Sequence, residues 1–123
     1  MSRKIAIPLE GGLLCPHFGH CQQFAIVETS EDQILSQQLL TPPPHEPGLF
    51  PAWLAGHGVS DVIAGGMGQR AIQLFNDQCI NVYTGAPLHQ PVRLVNDFLA
   101  GKLMLTANYC DHDSHGGHHQ CRQ

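Results

Sequence analysis

Five cysteines and nine histidines stand out in a chain of 123 residues. Thiolate and imidazole are ligands for soft and borderline transition metals, and here several of them are clustered. The first cluster is Cys15-Pro16-His17-Phe18-Gly19-His20-Cys21, two thiols and two imidazoles within seven residues. A folded loop could bring three of the four within the roughly 2.0–2.3 Å that a metal needs. The spacing fits no standard zinc motif, so it specifies no single metal. The plainer reading is that Phe18 enters the core, Gly19 permits a turn and the polar residues cap the next strand. At least one of Cys15, His17, His20 and Cys21 is expected to ligate.

A second cluster closes the chain. Cys110, His112, His115, His118, His119 and Cys121 put six such ligands into twelve residues. No aliphatic residue occurs from 110 to 123, so the segment has no apolar area to offset its ordering entropy. It reads as a tail that binds a transition metal or stays solvated. It is not a run of consecutive His, which argues against an expression tag. A third motif holds no ligand. Gly65-Gly66-Met67-Gly68 lies between a strand and a helix, where unpaired N–H groups and the helix dipole attract an anion. Arg70 adds a charge that could face the same anion. The alternative is a tight turn that needs glycine for positive φ. The Lys-Ser/Thr ending of a Walker loop is missing, and so is the acidic partner of a dinucleotide fingerprint.

The elements that must position these groups follow from periodicity. Strands are expected at 3–9, 23–29 and 34–41, the second apolar on both faces and the third nearer an edge. Pro42-Pro43-Pro44 stops the pattern. A short helix over 49–57, a strand at 61–64, a helix over 67–77, a strand at 79–83 and a helix over 88–100 follow. In the last helix Val92, Leu94, Val95, Phe98 and Leu99 form the apolar face, and Gly101 supplies the stop. Leu103-Met104-Leu105 reads as a final short strand or a packed extension. Alternation in the second half implies parallel strands with right-handed crossovers. The economical arrangement is an α/β fold with a five-stranded mixed sheet in order 3-2-1-4-5, flanked by helices. Its first and fourth strands then leave in opposite directions, and ligands bind at such a switch point. The thiol–imidazole loop and the glycine loop would converge there. Residues 1–107 form the folded domain and 108–123 the tail.

Composition excludes several classes. Six Lys+Arg against ten Asp+Glu, a net charge of −4, leave no electrostatic footprint for nucleic acid. No stretch approaches the roughly 18 apolar residues of a membrane span. The apolar run after Met1-Ser2-Arg3-Lys4 is too short for a secretory signal. A cytoplasmic protein with reduced thiols is expected, and an odd cysteine count suits that. Cys79 reads as a small core residue, Trp53 as a helix-face anchor, and His45, His57 and His89 as surface or capping groups. Asp61, Asp77 and Asp97 fall where caps or turns explain them. A thiol enzyme built from Cys15 or Cys21 with His17 or His20 has no evident third, orienting group. Low charge and the exposed third strand suit a homodimer.

His17-Phe18-Gly19-His20-Cys21 ahead of Phe24, then Val62-Ile63-Ala64-Gly65-Gly66-Met67-Gly68 ahead of a helix, resembles the nitrogenase iron–molybdenum cofactor biosynthesis and carrier family. Phe98, Gly101, Lys102 and Leu103 match its ending, so the similarity covers residues 3 to about 105. The resemblance implies a ribonuclease-H-like three-layer fold and a role in holding metal–sulfur clusters or their precursors for transfer. It also implies that His17 contacts the cluster. Cys15, Cys21 and the Cys/His tail depart from the plainer carriers. The leading expectation is a non-enzymatic carrier of an iron–sulfur-type cluster, with or without molybdenum, working between donor and acceptor proteins. The glycine-loop amides of Gly65 to Gly68 and Arg70 would stabilise the cluster's negative charge. The rival expectation is a buffer or chaperone for mononuclear zinc, nickel or copper that uses mainly the tail.

Overall fold

The computed structural model describes residues 2–15, 21–31, 33–42, 49–105 and 107–109. The elements run β1 (Ser2–Glu10), β2 (Leu13–Leu14), β3 (Gln23–Ser30), β4 (Gln33–Leu40), α1 (Leu49–Gly56), β5 (Asp61–Ile63), α2 (Gln69–Asp77), β6 (Asn81–Thr84), α3 (Pro91–Leu99) and β7 (Ala107–Tyr109). They build a mixed sheet in the order β4-β3-β1-β5-β6-β7, with β2 paired to β1. The sheet has seven strands, not five. The strands expected from periodicity supply β4, β3, β1, β5 and β6, and two short strands are added.

Period-two alternation divides the apolar residues of the sheet between two cores. Ala6, Phe24, Ile26, Val62 and Val82 meet α1 and α2 through Phe50, Leu54, Ile72 and Phe75. Ile5, Ile7, Ala25, Val27 and Ile63 face the other way and meet Leu94 and Val95 of α3. Helices therefore cover both faces of the sheet. Strands β1 and β3 are apolar on both faces because each side has a helix layer to pack against.

Several boundaries differ from the sequence reading, each for a local reason. The α2 helix starts at Gln69 because Gly68 is still extended, at φ −72° and ψ 159°. Pro91 opens α3 at its first turn, where a missing N–H costs nothing. That register buries Pro91, Leu94 and Val95 and leaves Val92 exposed, so Val92 does not belong to the apolar face. Leu103 and Leu105 pack against the α3-side core as an extension. The last strand is instead Ala107–Tyr109, antiparallel to β6 with Tyr109 opposite Val82. It crosses the boundary expected at 107.

Helices α2 and α3 end in the same hydrogen-bond pattern. Gly101 N–H donates to Phe98 O at 3.1 Å and Lys102 N–H to Asp97 O at 2.8 Å. At α2, Cys79 N–H donates to Asn76 O at 2.9 Å and Ile80 N–H to Phe75 O at 3.0 Å. This closure requires a left-handed residue, glycine by preference. Gly101 meets that need at φ +74°, whereas the other position is held by Cys79 at φ +64°. Cys79 therefore stands outside β6. It is a disulfide-bonded residue, not a free core thiol, and its partner lies outside the described residues.

Candidate metal-cluster site

Strand β1 runs through the middle of the sheet and its carboxyl end carries the first half of the site. Gly11 and Gly12, at φ +66° and +85°, turn the chain back on itself. Two consecutive left-handed residues make the tight turn whose twist suits a two-residue hairpin. The hairpin pairs Leu9 with Leu14 and Glu10 with Leu13. Cys15 follows, with its N–H donated to Pro8 O at 2.8 Å. Its side chain is buried, and the thiol lies 3.8 Å from Glu10 Oε1. On the far side of the loop, Gln22 N–H donates to Leu9 O at 2.8 Å. The Gln22 amide oxygen in turn accepts Gly11 N–H at 3.0 Å. Cys15 and Cys21 are thus held at the two ends of segment 16–20, both over the last residues of β1. His17 and His20 lie outside the described residues.

Beside them, the edge of β1 that faces β5 passes to the hairpin strand. Lys4 and Pro8 turn their carbonyls to the same side of β1: Lys4 O accepts Ser60 N–H at 2.9 Å and Pro8 O accepts Cys15 N–H. Pro8 has no N–H to donate on that side, and past it β2, not β5, pairs with β1. The β1–β5 pairing consists of Ile5 with Asp61 and Ala6 with Val62. Beyond it the chain leaves β1 toward β3 and leaves β5 toward β6, which is the switch-point geometry that forms ligand crevices in α/β sheets.

Gly65, Gly66, Met67 and Gly68 leave β5 on the other wall. None of these three glycines has a positive φ, so a left-handed turn does not explain them. At Gly68 an added Cβ would meet nothing within 4 Å, which leaves the approach to the helix end unobstructed. The first hydrogen bond of α2 joins Ile72 N–H to Gly68 O at 3.0 Å. The amides of the preceding turn therefore have no acceptor within the helix. Its first turn has no acidic residue, and Arg70 is exposed there. Met67 and Cys21 pack against the same apolar cluster, on the α1 and α2 side of the sheet.

Burial gives Cys21 its chemical character. Loss of solvent, followed by the charge of neighbouring Cys15, pushes its thiol from 9.0 up to about 12, against a small lowering by a backbone hydrogen bond. At neutral pH it carries a proton, and a metal must displace that proton to use the sulfur. Among the described residues no group of three or more His, Cys, Asp and Glu converges in a metal-binding arrangement. Cys110, His112, His115, His118, His119 and Cys121 lie outside those residues. Tyr109 stands beside Val82, toward the amino ends of β5 and β6 and away from the crevice. The ligand-rich segment is therefore joined to the fold at the opposite edge of the sheet.

Comparison with known proteins decides the family. Residues 1–101 match the family described as dinitrogenase iron-molybdenum cofactor. The chain belongs to this family. An uncharacterized protein of Methanocaldococcus jannaschii is 33% identical over 107 residues, spanning 81% of this chain and 88% of its own. The crystal structure of PH0822 superposes with a TM-score of 0.78 at 29% identity, covering 84% of this chain and 94% of that one. The apo form of the orange protein from Desulfovibrio gigas has the same fold, with a TM-score of 0.71 at 23% identity over 87% of this chain and 95% of its own. Iron–molybdenum cofactor is thus the association of the family to which this chain belongs. Among the described residues no helix is long and apolar enough to cross a membrane.

Sequence reasoning missed three features of this region. The Gly11-Gly12 hairpin was signalled by two glycines between apolar residues, but strands of two residues carry little periodicity. Asp61 is neither a cap nor a turn residue. It is a buried carboxylate in β5 that accepts from Ser60 Oγ at 2.7 Å, Asn81 Nδ2 at 3.1 Å and Tyr83 OH at 3.4 Å. Arg3 Nε lies 3.4 Å from it, and the guanidinium sits 5.7 Å from the Phe98 ring centre. The disulfide at Cys79 had no signal in the sequence, where the odd cysteine count argued for reduced thiols.

Proposed function

We propose that this protein binds a metal–sulfur cluster or its precursor in the crevice between β1 and β5 and carries it for cofactor assembly or transfer. The observation that supports this reading is that two unlike segments leave the parallel neighbours β1 and β5 at the same end of the sheet. One brings soft donors, Cys15 and Cys21, anchored on Pro8 and Leu9. The other brings helix-end amides with Arg70 and no carboxylate. A metal–sulfur cluster is a polarizable anion with open metal positions, so it uses both kinds of wall at once. Thiolate, or an imidazole from His17 or His20, caps a metal, while Gly66 to Gly68 and Arg70 balance the charge. Few direct ligands suit a cargo that must be released to an acceptor protein.

We take the role as non-enzymatic. The raised Cys21 thiol is the reverse of an activated nucleophile. The layered sheet with helices on both faces agrees with a ribonuclease-H-like arrangement. The cytoplasm is the proposed setting; the thiols of Cys15 and Cys21, which form no disulfide, agree with it, and the disulfide at Cys79 does not.

Anaerobic purification followed by an absorption spectrum and assays for iron and acid-labile sulfide tests the proposal. A coloured protein with iron and sulfide that loses both in a His17→Ala, Cys21→Ser double variant of unchanged circular dichroism is the expected result. A colourless protein that holds zinc, nickel or copper, and loses it when residues 110–123 are deleted, replaces this reading with a mononuclear buffer built on the tail. Unchanged cluster content in the double variant would sink the site assignment.

A further inference from the structure

Strand β4 is the outer edge of the sheet, and on the side away from β3 it has no strand partner among the described residues. Leu35 and Leu39 are 56% and 51% exposed. Beside them, on the α3 side, lies an open groove of about 220 Å³ lined by Leu9, Gln37, Leu39, Gln90, Pro91 and Val92. Val92 is 39% exposed at its rim. Natural edge strands are usually protected by charge, proline, brevity or a bulge. Gln33–Leu40 has no charged residue and no proline. Its one protection is an extra residue at Leu35: Glu28 pairs with Ser36, but Thr29 pairs with Ile34. The bulge leaves Ser36–Leu40 as a regular, unprotected run.

We propose that this edge is the interface of a homodimer, in which Ser36–Leu40 of two copies pair antiparallel about a two-fold axis and join two sheets into one. Three features select a second copy over another partner. In a two-fold pairing a strand meets its own residues in reverse order, so a strand carrying charge of one sign would repel its copy. This strand has none, although the chain as a whole carries a net charge of −4. Ser36, Gln37 and Gln38 have side chains that donate and accept together, and such groups are complementary to themselves. The groove lining named above is likewise uncharged, so a partner of opposite charge would gain nothing there. Five paired residues alone hide less than the roughly 1,200 Å² of a stable interface. Leu39 and Val92 of each copy, closing on the other's groove, supply the remaining apolar area.

Sedimentation velocity on the full chain tests this, with interchain disulfides excluded on a non-reducing denaturing gel. The wild type is expected to be a dimer at about 100 µM. Replacing Gln37 and Leu39 together by Lys should weaken association more than about tenfold. The same two positions changed to Glu should do likewise, and mixing the two variants should restore a dimer of mixed composition. Both positions are exposed, so circular dichroism should match the wild type. A monomeric wild type, a dimer indifferent to the Lys pair, or a failure of the mixed charges to reassociate would each overturn the proposal.

Discussion

The two ends of β5 are built on opposite principles. At its amino end Asp61 is buried and fully engaged, with Ser60, Asn81, Tyr83 and Arg3 around one carboxylate. At its carboxyl end the chain passes into Gly65-Gly66-Met67-Gly68, where amides are left without helical acceptors and an added Cβ at Gly68 would meet open space. Three residues separate a saturated polar centre from an unsaturated one. The difference shows how a small domain sustains an open site: the strand is fixed at one end by a satisfied network, so the other end can leave its polar groups to a ligand.

The largest test of that division is Asp61→Ala. It removes an acceptor shared by Ser60, Asn81 and Tyr83 and the partner of Arg3, and should cost about 3 kcal/mol in urea unfolding. Cargo content per folded molecule should be unchanged. A matching loss of cargo would show that the two ends are coupled.

A second test uses pH. Folded Cys21 keeps its proton up to about 12, whereas the unfolded chain would release it near 9.0. The unfolded state therefore binds fewer protons above that point, and stability declines as pH rises from 9 toward 12. Subtracting the profile of Cys21→Ser isolates this contribution from other groups. The difference should be flat below pH 9 and fall above it; a flat difference throughout would show that the thiol is not shielded.

Cys21→Ser at neutral pH should change stability by less than about 1 kcal/mol, because the side chain is only partly buried. Its effect belongs to the site, where retained iron and sulfide should fall more than about tenfold. The smallest expected change is Gly68→Ala. An ordinary φ and free space let alanine in, and the reduced freedom of the unfolded chain offsets the poorer cap to within about 0.5 kcal/mol. The new methyl group nonetheless stands before the helix-end amides, so cargo affinity should drop. If it holds, the amides do not contact the cargo.

The same contrast separates what could be read from sequence from what could not. The two-faced apolar runs at Ile5–Leu9 and Phe24–Val27 carried the central strands, and Gly101 carried the end of α3. These are local signals reinforced by burial. Ala107–Tyr109 has little strand character of its own, and pairing with Val82, Tyr83 and Thr84 supplies it. Val92 satisfied the helical spacing but lies off the face that Pro91 fixes. At the candidate site, topology places Cys15 and the glycine loop at the same end of the sheet. The role of Pro8, the Glu10–Cys15 contact and the Cys79 disulfide depend on pairs distant in sequence or on backbone direction. His17, His20 and the tail ligands lie outside the described residues.

Pro8 also bears on what loading requires of the sheet. Past Pro8 the edge of β1 that faced β5 pairs with β2 instead, so the β1–β5 ladder ends there with no hydrogen bond broken. Binding at that end of the sheet should therefore require no unzipping of β1 from β5. Deuterium exchange at the Ile63 and Ala64 amides should accordingly be the same in empty and loaded protein; protection gained on loading would mean that the strands rearrange around the cargo.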